Sequence, residues 1–221
     1  LGTVLRGDCI AETSLALAAG AETLEREDLA EISRNLLDFY LLESPAVKNE
    51  RGDPSHGAYG LIAWGISSEA WYRANYGDDN ARVILAALAS SALLREDRWN
   101  EAIMRCLLAN LRTTGRKGFR TSRIDIPDLE KNGWRYYFKR DPVHLAPHFE
   151  AYLWACYLLA YQKTGFQLFR DRAESGIRIT MEAYPEGLSW TNGLSQEMAR
   201  MILPLAWLVR VNRSEERRVG K

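Results

Sequence analysis

Apolar positions recur along this chain with a helical period, and seven segments carry it. The first predicted helix runs from about Asp8 to Ala19 and the second from about Glu27 to Leu42. The third begins at Asp78 or Asp79 and continues through Val83, Ile84, Leu85, Leu88 and Leu93. The fourth, from about Trp99 to Leu111, sets Ile103, Leu107 and Leu111 on one face and Glu101, Arg105 and Arg112 elsewhere. Pro147, a good first-turn residue, opens the fifth, which reaches Lys163 with Gly165 as its C-cap. The sixth runs from about Leu168 to Tyr184 and stops at Pro185. The seventh opens near Asn192 or Ser195 and reaches about Val211, with a kink expected at Pro204. No segment alternates as a half-buried strand does, so the expected class is all-α.

These helices alternate in character. The first, third, fifth and seventh are apolar or small around most of their circumference, as in Ala86-Ala-Leu-Ala89 and Tyr152-Leu-Trp-Ala-Cys156. The second, fourth and sixth carry a polar stripe. A helix apolar all round is buried on every side and a striped one faces water, so the order reads inner, outer, inner, outer. A repeat underlies it: Asp8, Asp79 and Glu150 stand 71 residues apart, in register with Leu17, Leu88 and Leu159 and with Ala18, Ala89 and Ala160. Ile32 and Ile103 mark matching places on the first two outer helices. Repeats of this length suggest stacked helical hairpins. Inner-to-outer connections are short, such as Leu94–Arg98 and Gln162–Phe166. The first two outer-to-inner connections are long, about Ser44 to Gly77 and Gly115 to Ala146. Loops of that length in a compact domain are functional or disordered, and their aromatic and glycine content argues against disorder.

Composition removes several function classes. The 29 basic and 29 acidic side chains balance, so no global excess points to a nucleic-acid backbone or to a basic partner. Charges interrupt every apolar run, which leaves no membrane span. Cys9, Cys106 and Cys156 are too few and too scattered for a disulfide scaffold or a zinc finger, and each lies in an apolar helical run that predicts a small buried side chain. The chain opens on Leu1 without signal or transit character, as after removal of a leader or in a fragment. Residues 213–221 (Arg-Ser-Glu-Glu-Arg-Arg-Val-Gly-Lys) resemble translated cloning-vector sequence. The tail is set aside as non-native, the fold is expected over residues 1–212, and the protein is expected to continue further.

Alternating inner and outer helices, with long loops and acids at the inner-helix starts, resemble the six-hairpin toroid, the (α/α)6 barrel of glycoside hydrolases and related sugar-active enzymes. Tyr76-Gly-Asp-Asp-Asn-Ala-Arg82 is similar to the Asp-Asp placement in some mannan-cleaving members. The resemblance covers roughly residues 1–212 and implies an incomplete toroid of about three and a half hairpins acting on carbohydrate.

The inner-helix starts carry Asp8 and Glu12, Asp78 and Asp79, His148 and Glu150, and Asn192 and Glu197. Glycoside hydrolysis uses two carboxyl groups, one to protonate the leaving oxygen and one as base or nucleophile. A helix N-terminus favours the carboxylate, whereas a general acid needs burial or a neighbouring carboxylate to raise its pKa. Asp79 and Glu150 are the expected working pair, with Asp78 as N-cap and Asp8 or Glu197 as alternates. Helix starts also attract acids for capping alone, which is the competing structural explanation.

Trp64, Trp71, Trp134 and Trp190 fall in the connecting loops with Tyr59, Tyr72, Tyr76, Tyr136 and Tyr137, where flat rings suit the C–H faces of sugars or else glue loops onto helix ends. Trp99, Trp154 and Trp207 are expected in the core. His56, His144 and His148 fall in the same segments. His144 and His148 lack the further ligands a metal needs, but they could transfer protons, as histidines do in some toroid sugar epimerases. Arg6, Arg82 and Arg200 either bind an acidic sugar or, more simply, pair with the adjacent acids. The expected substrate contacts are Trp64, Tyr76, Arg82, Trp134, His144, His148 and Trp190. Gly77-Asp-Asp-Asn80 is superficially similar to diphosphate-binding motifs of isoprenoid toroids, without a companion motif; Arg51-Gly-Asp53 reads as a turn, and no Walker-type phosphate loop is present. No cofactor and no metal are expected. Two rivals stand beside hydrolysis: a sugar epimerase using His144 or His148, and a non-catalytic carbohydrate-binding or scaffold toroid.

Overall fold

The computed structural model describes residues 4–219. In chain order the helices are α1 (Gly7–Leu24), α2 (Glu27–Asp38, prolonged by a π turn over Phe39–Glu43), α3 (Glu69–Arg73), α4 (Gly77–Leu94), α5 (Asn100–Arg112), α6 (Ile126–Asn132), α7 (Trp134–Lys139), α8 (Pro147–Thr164), α9 (Gln167–Glu182), α10 (Leu194–Arg200) and α11 (Ile202–Val219). Two three-residue strands, β1 (Ala74–Tyr76) and β2 (Arg123–Asp125), pair antiparallel with Asn75 opposite Ile124. The class is all-α. The strands were not expected because three residues are too short to display an alternation, and their pairing joins the two long loops rather than neighbours in sequence. No helix among the described residues is long and apolar enough to cross a membrane.

Two compact units make up the chain. The first is Leu1–Asn110 with Arg123–Trp134, and the second is Leu111–Ser122 with Arg135–Lys221. In unit 1, α1 packs on both α2 and α4. Ser14 and Ser33 meet at the α1–α2 contact, where their buried hydroxyls bond each other at 2.8 Å and the opposing carbonyls. In unit 2, α8 packs on α9, α10 and α11. Each unit thus packs one long helix both on the helix that follows it and on a later one.

The repeat is sharper in the structure than in the sequence, and its period differs. Helices α1, α4 and α8 each have 18 residues. They begin at residues 7, 77 and 147 and are capped at Glu25, Arg95 and Gly165, so the step is 70 rather than 71. All three caps are left-handed, with φ of 54°, 55° and 70°. Only the third uses glycine, the residue that adopts this conformation without strain. Ala11, Ala81 and Ala151 coincide in this register, each with no exposed surface. The 71-residue spacing of acids came from single-residue coincidences, and it pairs residues that sit at different points of the first turn.

Five further expectations change. The seventh helix is two, because Pro204 has no N–H for the Arg200 carbonyl and its ring crowds that group, so the helix breaks at Met201. Cys106 and Cys156 are buried, but Cys9 is exposed. Trp99 and Trp154 are core residues, whereas Trp207 is only half-buried, beneath the Arg210 guanidinium at 4.9 Å. Inner character does not mean burial on every side. Helices α4 and α8 bury most of their circumference, while α1 exposes Thr13 and Ala16 and α11 exposes Ile202 and Val209. Helix α11 also continues past residue 213 to Val219, and the Glu215 carboxylate accepts hydrogen bonds from Tyr161 and Arg170.

Candidate functional site

In unit 1 the first turns of α1 and α4 bring Asp8, Asp78 and Asp79 into one buried cluster with two arginines. Nη2 of Arg6 donates to Asp8 Oδ2 and to Asp79 Oδ1, each at 2.9 Å. Arg82, one turn along α4, donates to the same Asp8 Oδ2 and holds both oxygens of Glu12 at 2.7 and 2.6 Å. The arginines are therefore paired with acids, the simpler of the two expectations for them. Asp79 is crowded and has only 9% of its side chain exposed. Burial, then the charges of Asp78 and Asp8, push its carboxyl up to about 7, and Arg6 pulls the other way. This is how a carboxyl comes to hold a proton near neutrality. The Cys9 thiol is raised as well, by burial and by Asp8.

Aromatic rings adjoin this cluster. The Arg6 guanidinium lies 5.1 Å from the Trp64 ring, within cation–π range. Trp64 contacts Trp71 at 4.5 Å and Tyr76 edge-on at 5.4 Å. All three rings are half-buried. Backbone pairing fixes the segment that carries Arg6. It bridges Gly65, while Gly7 N–H donates to the Trp64 carbonyl at 3.3 Å and Leu5 N–H to Ser67 Oγ at 2.7 Å.

Unit 2 uses its acids differently. Glu150 is wholly buried. Its Oε2 accepts from the Arg120 N–H at 3.0 Å and its Oε1 from the Thr121 N–H at 2.8 Å, with His144 Nδ1 3.3 Å from Oε1. Arg140 braces the same loop through the Arg120 carbonyl and Thr121 Oγ1, both at 3.2 Å. Thr121 has φ of 86°, a conformation rare for a β-branched residue, which the carboxylate and Arg140 hold in place. Glu197, also wholly buried, accepts from the His148 N–H at 2.5 Å and from the Thr191 N–H at 3.3 Å. It caps α8 from α10, satisfying one of the four N–H groups a helix start leaves open.

The 70-residue register explains the contrast. Glu150 is the fourth residue of α8, where α4 has Asn80 and α1 has Ile10; Glu197 is the fourth residue of α10. Asn80 does for the first long loop what Glu150 does for the second. Its Oδ1 accepts from the Ile62 N–H at 3.1 Å and its Nδ2 donates to the Ile62 carbonyl at 2.9 Å. Asn75 and Asn110 extend this buried network with bonds of 2.9 and 3.1 Å to Asn80 Oδ1. Periodicity and charge give no role to Asn75 and Asn110 and set Asn80 only within the Gly77-Asp-Asp-Asn80 motif, although Asn80 and Asn110, amides on otherwise buried helix faces, were the available signal. The structural counterpart of Asp79 is thus Phe149 in α8 and Cys9 in α1, and that of Asp78 is Asp8 and His148.

The remaining candidates scatter. Trp134 is half-buried, and Trp190 and Asn192 are exposed. Tyr136 and Tyr137 clasp Arg140, with their rings 5.5 and 4.7 Å from its guanidinium. Tyr59 lies against Arg105, and Tyr72 donates to Glu50 Oε2 at 2.5 Å, so both fasten loops. His56 faces Glu130 at 3.7 Å, too long for a hydrogen bond. His144 stacks on Phe149 at 5.6 Å, and His148 meets the same ring edge-on at 4.7 Å. Arg200 donates to the His148 carbonyl at 3.0 Å. Among the described residues no group of three or more His, Cys, Asp or Glu side chains is placed to hold a metal ion. No protein-family model, curated protein or solved structure matches the chain.

Proposed function

We propose that the chain is an incomplete (α/α)6 toroid and that unit 1 carries a carbohydrate site that cleaves a glycosidic bond. Asp79 is the proton donor to the leaving oxygen, and Asp8 is its carboxylate partner. The observation that carries the reading is the buried Asp79 carboxyl, crowded by Asp78 and Asp8 and bonded at 2.9 Å to an arginine that a tryptophan ring supports, surroundings that raise its pKa. Two oxygens that share one nitrogen at 2.9 Å each lie no more than about 6 Å apart, nearer the spacing of retaining than of inverting enzymes. On that route Asp8 bonds to the anomeric carbon as the glycosidic C–O bond breaks and the Asp79 proton passes to the leaving oxygen. Water then cleaves the glycosyl–Asp8 ester, returning its proton to Asp79. Tyr76 and the Trp64–Trp71 pair supply the apolar surface for a sugar face. Glu150 takes no part in this chemistry, because backbone donors already occupy both its oxygens.

A second reading rests on the 3.3 Å contact between His144 Nδ1 and Glu150 Oε1. A carboxylate on Nδ1 orients the imidazole and leaves Nε2 for proton transfer, as an epimerase requires. Leaving-group dependence separates the two. If Asp79 is the acid, Asp79→Asn loses about 10²–10⁴-fold on unactivated glycosides and far less on dinitrophenyl glycosides, whose leaving group needs no proton. Equal loss on both substrates contradicts the assignment. Epimerised product that disappears with His144→Ala supports the second reading, and sugar binding without turnover supports the non-catalytic module.

A further inference from the structure

Among the described residues, Arg6 is the side chain that hydrogen-bonds both carboxyls of the proposed pair, and it does so through a single nitrogen. Its position is determined from three sides. The backbone bridge to Gly65 fixes its Cα, the Trp64 ring 5.1 Å away supports its guanidinium, and the two carboxylates anchor its tip. The pair it serves is asymmetric. Asp8 Oδ2 accepts from two guanidinium groups, Arg6 and Arg82, whereas Asp79 accepts from Arg6. We propose that Arg6 is a positioning residue: it holds Asp8 and Asp79 at a fixed separation and, by dividing its charge between them, sets where the proton of Asp79 is released. This rests on the carbohydrate-cleaving reading for its purpose, but not for its test.

The groups facing Asp79 are few enough to apportion. Asp78 and Arg82 lie on α4; Asp8, Cys9 and Glu12 lie on α1; Tyr40 comes from the π turn; Arg6 precedes α1. Burial, Asp78 and Asp8 favour the protonated form of Asp79, and Arg6 is the group that opposes them through a direct hydrogen bond. Removing the Arg6 charge therefore moves the titration of Asp79 upward.

The test is a ¹³C-carboxyl NMR titration of the full chain, wild type against Arg6→Gln, with Asp79→Asn identifying the resonance. The expected result is an Asp79 midpoint raised by about one pH unit or more, the effect of removing an opposite charge at contact distance. An unchanged or lowered midpoint overturns the proposal. Should Arg6→Gln fail to fold, Arg6→Lys keeps the charge but ends one bond short of the Arg6 Nη2 that bonds both carboxyls. It is then expected to give a smaller upward shift, and no shift overturns the proposal. Glycoside turnover is measured on the same samples. A shifted midpoint with no turnover in wild type leaves the Arg6 assignment standing and sinks the hydrolase reading. Turnover whose alkaline limb fails to follow a shifted midpoint leaves the Arg6 assignment standing and sinks Asp79 as the general acid.

Discussion

The first turns of α4 and α8 each present a buried acid, and the two acids have opposite surroundings. Glu150 meets two backbone N–H groups whose positions are fixed by the loop they belong to. Asp79 meets Asp78, Asp8 and a shared arginine. A carboxylate saturated by rigid backbone donors is part of the scaffold, since moving it exposes those donors to an apolar interior. A carboxyl crowded by like charges, and relieved by one guanidinium, can gain and lose a proton at little structural cost. Equal placement in sequence therefore says nothing about equal role; the partners decide.

Stability measurements break this comparison most forcefully. Above about pH 7, Asp79→Asn is expected to stabilise the protein by up to about 4 kcal/mol, the free energy of a carboxyl raised from 3.8 to about 7, less what the Arg6 ion pair returns. The sign follows from proton uptake. Folded Asp79 binds its proton more tightly than the unfolded chain does, so wild-type stability is greatest below about pH 4 and is lost as pH rises to about 7. The advantage of the asparagine variant is absent below that window and complete above it. Denaturation midpoints at pH 4 and pH 8 show this directly, and a pH-independent difference between the two proteins refutes it.

Glu150→Ala is expected to act in the opposite direction, costing about 2–4 kcal/mol, because it strands two buried N–H groups. Urea unfolding reads the loss, and a change below about 0.5 kcal/mol contradicts the anchoring role. Asn80→Ala is expected to cost about 2–3 kcal/mol for the same reason in unit 1, with earlier proteolysis of the loop around Ile62. Gly118→Ala sharpens the account of the second loop. Gly118 has φ of 88°, and an added Cβ would lie 2.0 Å from the Arg172 carbonyl. Its own carbonyl accepts from Trp154 Nε1 at 2.7 Å. A loss of about 1–3 kcal/mol, read by the same unfolding curves, is expected.

The long helices were legible from periodicity, whereas the short helices α3, α6 and α7, inside the segments expected as two long loops, were not, because five to seven residues are too few to show a helical period. What the period could not supply was register. The 71-residue spacing of Asp8, Asp79 and Glu150 looked like a repeat of function, but the helix starts and caps set the step at 70. That single residue shifts Glu150 from the counterpart of Asp79 to the counterpart of Asn80. Helix termini are set by loop hydrogen bonds, such as those of Ile62 and Thr121, which link residues far apart in sequence and leave no local pattern. The break at Met201 was half-legible, since Pro204 marked it as a kink. The β1–β2 pairing was not legible at all: three residues cannot show a period, and the pairing depends on where the two long loops meet. Asp79 itself was legible as a candidate through its neighbour Asp78. The role of Arg6, placed by contacts to Asp8, Asp79 and Trp64, was visible only as nearness to a helix start.

The most direct test sets Asp79→Asn beside Glu150→Gln on one unactivated glycoside, below the melting temperature of both. The account predicts that Asp79→Asn loses about 10²–10⁴-fold in kcat. It predicts that Glu150→Gln, although less stable, turns over within a few-fold of wild type. Full activity in Asp79→Asn together with loss in a folded Glu150→Gln would contradict it.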